Sequence, residues 1–496
     1  YQKKQILEWQ RDDYRSMNAL LQELDNYIFD NLTLQSSMLK KKVTSSDESA
    51  VTVTALSTAP NVTNQIKVNQ IATVTTWVSK DAITVQGPDP FDPDANLDQF
   101  TFTTGEGNYS FGGQFTLKLD VTLPDGTSKS GVTVTVDPSQ DSLNDVIAKI
   151  NQTTDLNVSV FYDGTAKKVV FSSNKTGSNA SIKLASDAED NALNFFKALG
   201  FTGATKGGEI ALDGAGRTNG QDASFELNGY TMTKKENTFT INSITYTLKK
   251  ADPSATISIT TSTDVDAMFN VIKGFVDKYN EIIGKINAKI SEQRYRDYPP
   301  LTDEQKEEMT EKQIELWEEK AKSGLLRNDS ILSSGLSQMR LDIFSKVSGT
   351  NINSNYDILS EIGITTSSNY LENGKLIIDE TKLREAIETD PNAVFQLFNA
   401  NGSDFDTKGI AQRLRSTIKE TIGKIEQKAG KTIWTNQQFA IGRDLDDLNE
   451  QISRFEDRLQ QIEDRYWRQF TAMEQAIQRA NEQSMYLMNA FFGGSQ

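Results

Sequence analysis

Leu445, Leu448, Ile452, Phe455, Leu459, Ile462 and Tyr466 step by three and four residues in strict alternation. That is a heptad seam, and only a long α-helix sets such positions on one line. The next apolar residue is Phe470, a second consecutive step of four, and the seam resumes through Met473, Ile477, Ala480, Ser484, Leu487 and Phe491. Two four-residue steps in a row make a stutter, which locally unwinds a left-handed supercoil. As one helix the stretch would span roughly 70 Å at 1.5 Å per residue. Each large seam residue left in water forgoes roughly 1.5–3 kcal/mol of burial. A row of them exceeds the apolar patch that soluble monomers usually carry. The seam therefore implies a partner: a segment preceding Tyr1, another copy of the chain, or another protein.

Charges beside the seam bear on orientation. With Leu445 at position a, Arg458 falls at g and Glu463 at the following e. These meet as opposite charges in a parallel self-pair and as like charges in an antiparallel one. Exposed pairs contribute only ~0–1 kcal/mol, so solvated charges on an intramolecular bundle fit equally well.

The other end of the chain carries a similar stripe. Ile6, Trp9, Met17, Leu20, Leu24 and Ile28 mark a helix over residues 1–39 and supply the expected stalk partner. The simplest path runs up this helix, out through β-rich segments and back down the last helix, so the two ends lie antiparallel and share a seam. Residue 1 is Tyr and QKKQILEWQ already reads as helix, so a longer N-terminus holding any targeting signal is expected.

Between the ends the texture changes. Residues 51–83 alternate Thr and Val and read as strands. VQGPDPFDPDANLD holds Pro88, Pro90 and Pro93 and reads as a linker or domain edge. Residues 100–259 are β-rich, with turn signals at Pro124-Asp125-Gly126, Asp163-Gly164 and Asn228-Gly229. One short helix interrupts them at 142–152, capped by Ser142. From residue 263 the period is helical again, with Met268, Ile272, Phe275, Tyr279, Ile282, Ile286 and Ile290 on one stripe. Thr302 to Gln305 forms a capping box. Further helices are expected over 329–347, over 380–388 and after Asp390-Pro391, with GKLIID as a short strand. The fold class is thus α+β and multidomain, with long helical legs at both ends and inserted β-rich head domains. The expected division is a stalk of 1–44 with 432–496, a helical bundle of 45–78 with 263–431, a β-rich domain of 79–104 with 207–262, and an inserted β-rich head of 105–206.

Composition narrows the chemistry. The 496 residues carry a net charge of −16, which repels phosphate and makes nucleic acid a poor partner. The chain has no Cys and no His, so thiolate nucleophiles, imidazole bases, disulfides and the usual zinc or haem ligands are excluded. No apolar run approaches the roughly 20 residues of a membrane helix. DGAGRTNG (213–220) lacks the spacing and the Gly-Lys-Ser/Thr of a phosphate loop. DPDANL begins like a calcium loop at Asp92, Asp94 and Asn96, but Leu97 stands at the sharp-turn glycine position and Thr103 at that of the bidentate Glu. Paired carboxylates such as Asp446-Asp447 or Glu307-Glu308 read as solvated helix faces. No catalytic residue, cofactor or metal is expected. The cluster of Tyr466, Trp467 and Phe470 reads as a packing interface rather than a ligand box.

Several stretches together resemble the flagellar hook-associated protein 2 family, the filament-capping proteins. They are STAPNVTNQIKVNQIATVTTW, SFELNGYTMTKKENTFT, FVDKYNEII, SEIGITTSSNYLENGKLIIDETKLREAIETDPNAVFQLF and RYWRQFTAMEQAIQRANEQS. SLNDVIAKINQTTDLNVSVFYDGTAKKVVFSS is also similar to a small module of flagellin-type axial proteins. The resemblance implies a non-enzymatic cap, secreted by the flagellar type III route to the distal tip of the bacterial flagellum. It implies a homo-oligomer, with a pentamer the expected count, that helps flagellin fold and insert and prevents its leakage. Flagellin, the hook-associated junction proteins and an export chaperone are the implied partners, with no membrane insertion. In the family, residues preceding Tyr1 would pair with the last helix and carry the export signal. The expected oligomer and flagellin interface is Leu459, Ile462, Tyr466, Trp467, Phe470, Met473, Ile477, Leu487 and Phe491. Two other readings are open: a secreted adhesin whose β-domains bind glycans on a helical stalk, and a glycosidase using paired carboxylates.

Overall fold

The computed structural model describes residues 1–87 and 90–492. Pro88 of the expected linker lies outside the described residues. The chain divides into two compact units, one of 1–40 with 264–496 and one of 41–263.

The first unit opens with helix α1 (Gln2–Tyr27), whose last turns widen into a π-helical segment, Ile28–Leu32. Helices α2 (Leu143–Gln152) and α3 (Asp190–Ala198) belong to the second unit. The first unit then resumes with α4 (Val265–Ser291), α5 (Asp303–Glu307), α6 (Glu311–Lys322), α7 (Ser330–Phe344), α8 (Glu380–Thr389), α9 (Pro391–Asn399), α10 (Ile410–Ala429) and α11 (Ala440–Phe492). The helix starts follow capping chemistry. Asp264, Asp329, Asp379 and Asp390 each accept from a first-turn amide, and Thr302 and Thr310 close capping boxes with Gln305 and Gln313. One core joins α1, α4, α7, α8, α9 and α10 around Phe275, Tyr279, Phe398 and Leu414.

Two polar contacts illustrate how distant segments of this unit are tied together. Arg415 on α10 grips Asp25 on α1 through two oxygens, at 2.8 and 3.3 Å, with its guanidinium 4.5 Å over the Phe29 ring. Asn280 on α4 donates to the Leu376 carbonyl (2.9 Å) and accepts from the Leu376 amide (2.7 Å). Its side-chain amide thus stands in for a strand beside the hairpin of Ile364–Thr366 and Leu376–Ile378. Leu376 is buried. Asn280→Ala strands an N–H and a C=O, which costs about 2–4 kcal/mol in a denaturant titration of the intact chain. A loss below about 0.5 kcal/mol would contradict the pairing.

The strands of the second unit pair antiparallel throughout. Its five-stranded sheet runs Lys41–Ser45, Asp252–Thr263, Val62–Gln70, Ala223–Leu227, Tyr230–Lys234. It shares a core with the sheet of Thr238–Ile241, Ile244–Leu248 and Val51–Ala55, where Phe225 and Phe239 stack at 4.5 Å. A second core gathers a four-stranded and a three-stranded sheet with α2 and α3 around Trp77, Phe102, Phe115, Phe171, Phe195 and Phe196. The strand Val158–Asp163 lies at the edge of the four-stranded sheet. Asn151 of α2 both donates to and accepts from Val160 there, at 2.9 and 2.7 Å. This blunts an edge that would otherwise invite another strand. Asn237 likewise both donates to and accepts from Ala72, at 2.9 and 2.7 Å, in the connection between two strands.

The packing groups segments differently from the expected division. Residues 51–70 pair with strands of the second unit, not with the helices of 263–431. Residues 79–104 and 105–206 share one core instead of forming separate domains. The proline-containing stretch is no free linker at its described end, because Phe91 packs against Phe100, Phe102 and Tyr162, and Leu97 is fully buried. Helices α3 and α10 lie outside the elements singled out from sequence.

Candidate docking site

The seam of α11 changes character along its length. Ile441 and Leu445 are buried in the helical core, and Leu448 and Ile452 are half-buried. Phe455, Leu459, Tyr466, Trp467, Phe470, Met473, Ile477, Leu487 and Phe491 are all exposed, with Phe470 at 56%. Ile462 is half-buried.

The covered part is short because α1 accompanies α11 only over the first turns. Arg15 lies 5.6 Å over the Phe439 ring and donates to the carbonyls of Ala429, Gly430 and Lys431. Fourteen residues earlier, at the residue that precedes α1, the Tyr1 hydroxyl bonds Glu456. The two helices therefore run antiparallel over this overlap, as expected, but beyond it they share no seam. Most of the N-terminal stripe serves the bundle instead. Met17, Leu24 and Ile28 are buried in the core with α4 and α10, joined by Tyr14 and Leu21, while Ile6, Trp9 and Leu20 are half-buried.

What remains is a shallow apolar groove of about 720 Å³ along α11, lined by Leu459, Ile462, Tyr466, Trp467, Phe470 and Met473. Trp467 and Phe470 meet edge to face at 6.4 Å. The helix continues unbroken through the Tyr466–Phe470 stutter. Met485, Tyr486 and Met488, which sequence reasoning did not single out, add exposed apolar surface near its far end. Among the described residues no group of acidic side chains could hold a metal ion, and no helix is long and apolar enough to cross a membrane.

The structure is thus a two-unit α+β chain whose last helix carries an exposed apolar seam from Phe455 onward. Comparison with known proteins gives its family. Models of the flagellar hook-associated protein 2 N-terminus and C-terminus match residues 1–75 and 220–482. Flagellar hook-associated protein 2 of Halalkalibacterium halodurans is 36% identical, covering 99% of this chain and 94% of that protein. The protein of that name from Thermotoga maritima is 31% identical over 81% of this chain and 62% of its own length. The D1-D2-D3 domains of the flagellar cap protein FliD from Escherichia coli share the fold, with a TM-score of 0.58 at 18% identity, covering 88% of this chain and 99% of that structure. The chain belongs to the flagellar hook-associated protein 2 family.

Proposed function

We propose that the chain is a structural cap at the distal tip of the bacterial flagellar filament, acting as a homo-oligomeric ring that promotes flagellin folding and insertion and prevents monomer leakage. The observation that carries the ring is the passage from buried Leu445 to exposed Phe455 on one continuous helix. From there onward the seam has no cover among the described residues, so neighbouring copies and flagellin are its occupants. Family membership supplies the place of action. A pentamer is the proposed count, and an export chaperone shields the seam before the chain leaves the cell by flagellar type III export. Hook-associated junction proteins are further partners. The work is mechanical and needs no catalytic residue. The comparisons lend the adhesin reading no support.

Electron microscopy of the purified chain tests the proposal: rings or discs bearing legs are expected. In a strain whose only copy carries the variants below, flagellin should accumulate in the medium in proportion to lost assembly. Isolated rods that nevertheless support full-length filaments would contradict the ring.

A further inference from the structure

The helical unit carries opposite charge on two edges, and this deepens the ring proposed above, on which it rests. At 100° per residue, Arg454, Arg458, Arg465 and Arg468 fall within an arc of about 80° on α11. Only Arg454 meets a carboxylate among the described residues, Glu450 at 3.8 Å. Arg468 donates to the Asp464 carbonyl, and Arg465 lies against Tyr466. The four guanidinium groups thus form an exposed basic row beside the apolar seam, and a groove lined by Arg458, Gln461, Ile462, Arg465 and Arg468 follows it.

That row faces away from α1. Glu456 points at Tyr1, and Arg454, Arg458 and Arg465 lie about 160–180° round the helix from Glu456. The α5–α6 segment sits on the α1 side. Gln2 donates to the Pro300 carbonyl at 2.7 Å, and the Lys322 ammonium lies 4.9 Å over the Trp9 ring. Residues 301–320 hold eight carboxylates against three lysines. Lys306 and Lys322 both pair with Glu318, and Lys312 pairs with Glu315. Asp303, Glu304, Glu307, Glu308, Glu311 and Glu319 are exposed and meet no cation among the described residues. The segment is firmly seated. Trp317 donates to the Pro299 carbonyl and packs on Tyr298 at 4.7 Å, and Arg294 holds the carbonyls of Ala321 and Ser323.

The two edges also overlap in height along α11. Tyr1 bonds Glu456, and Gln2 beside it donates to the carbonyl of Pro300, just before the acidic segment. The acidic segment therefore begins level with the Arg454–Arg458 end of the basic row. Rotation about a ring axis keeps heights unchanged, and a ring contact joins one face of a subunit to a different face of the next. We infer that the Arg454–Arg468 row of one copy docks on the α5–α6 carboxylates of its neighbour, a head-to-tail contact that sets the direction and spacing of the legs.

Sedimentation equilibrium of the full chain tests this. Arg458→Glu with Arg465→Glu, or Glu307→Lys with Glu308→Lys, should each raise the dissociation constant ~10-fold or more, because like charges then meet. All four substitutions in one chain should return it to near the wild-type value. Every position is exposed, so circular dichroism should report unchanged folding. Assembly that ignores both double variants, or that the fourfold variant fails to restore, would overturn the head-to-tail contact and leave the ring standing. A wild-type chain that stays single at every concentration would overturn the ring itself.

Discussion

Phe470→Asp is expected to weaken self-association by about 100-fold or more and to abolish capping, while the thermal midpoint of both units stays unchanged. The asymmetry follows from where the side chain lies. Phe470 is 56% exposed in the single chain, so its replacement removes almost nothing from the folded monomer. In an assembled seam the same ring would be buried, worth roughly 1.5–3 kcal/mol, and a carboxylate there would be desolvated without a partner. Those losses add, and each 1.4 kcal/mol is about tenfold in affinity. The measurement pairs sedimentation velocity with filament length in a complemented strain. If both were unchanged, docking through the seam would be wrong.

The second large effect lies in the core and should run the opposite way, with stability lost first. Arg413 on α10 is almost fully buried and spends its donors on four carbonyls: Phe405 (2.7 Å), Ser345 (2.8 Å), Lys346 (2.9 Å) and Asp406 (3.1 Å). It ties the segment after α7 to the turn before α10. Nearby, Asp342 is buried, and burial pushes its carboxyl up, while hydrogen bonding from Thr417 and Gln338 and, last, the Arg413 charge oppose that shift. Arg413→Ala would leave four carbonyls without this donor and remove a nearby positive charge from the buried Asp342 carboxyl, a loss of about 3–5 kcal/mol. Arg413→Lys should recover only part of it, because one ammonium cannot reach carbonyls on four sides. Chemical denaturation followed by far-ultraviolet dichroism gives both values. Equal stability of Arg413→Ala and wild type would contradict the clamp.

The sequence read best where structure is local. The seam of α11 is periodic over more than ten turns, so its helix, its length and its stutter follow from spacing alone. The Thr302–Gln305 box and the Asp390-Pro391 start were legible because a helix cap is decided within four residues. What escaped depends on distant partners. Leu21 and Tyr14 outrank Leu20 in the core because α1 packs on several helices at once, which no single stripe describes. Helix α3 was hidden by its shortness: Phe195 and Phe196 side by side read as strand as easily as helix. The Asn280, Asn151 and Asn237 pairings join side chains to backbone that is remote in sequence or on another element, and polar residues give no periodic signal. Of the candidate site, the apolar row was visible from the start. The short reach of α1 was not, because it depends on how much of that stripe the bundle consumes.

Hydrogen exchange of residues 459–491, followed by mass spectrometry over a range of protein concentrations, tests the central claim most directly. A helix whose seam is covered by neighbours should be protected when assembled and exchange rapidly on dilution, in step with dissociation. Strong protection that persists unchanged in a sedimenting monomer would show that the chain covers its own seam, and would contradict the account.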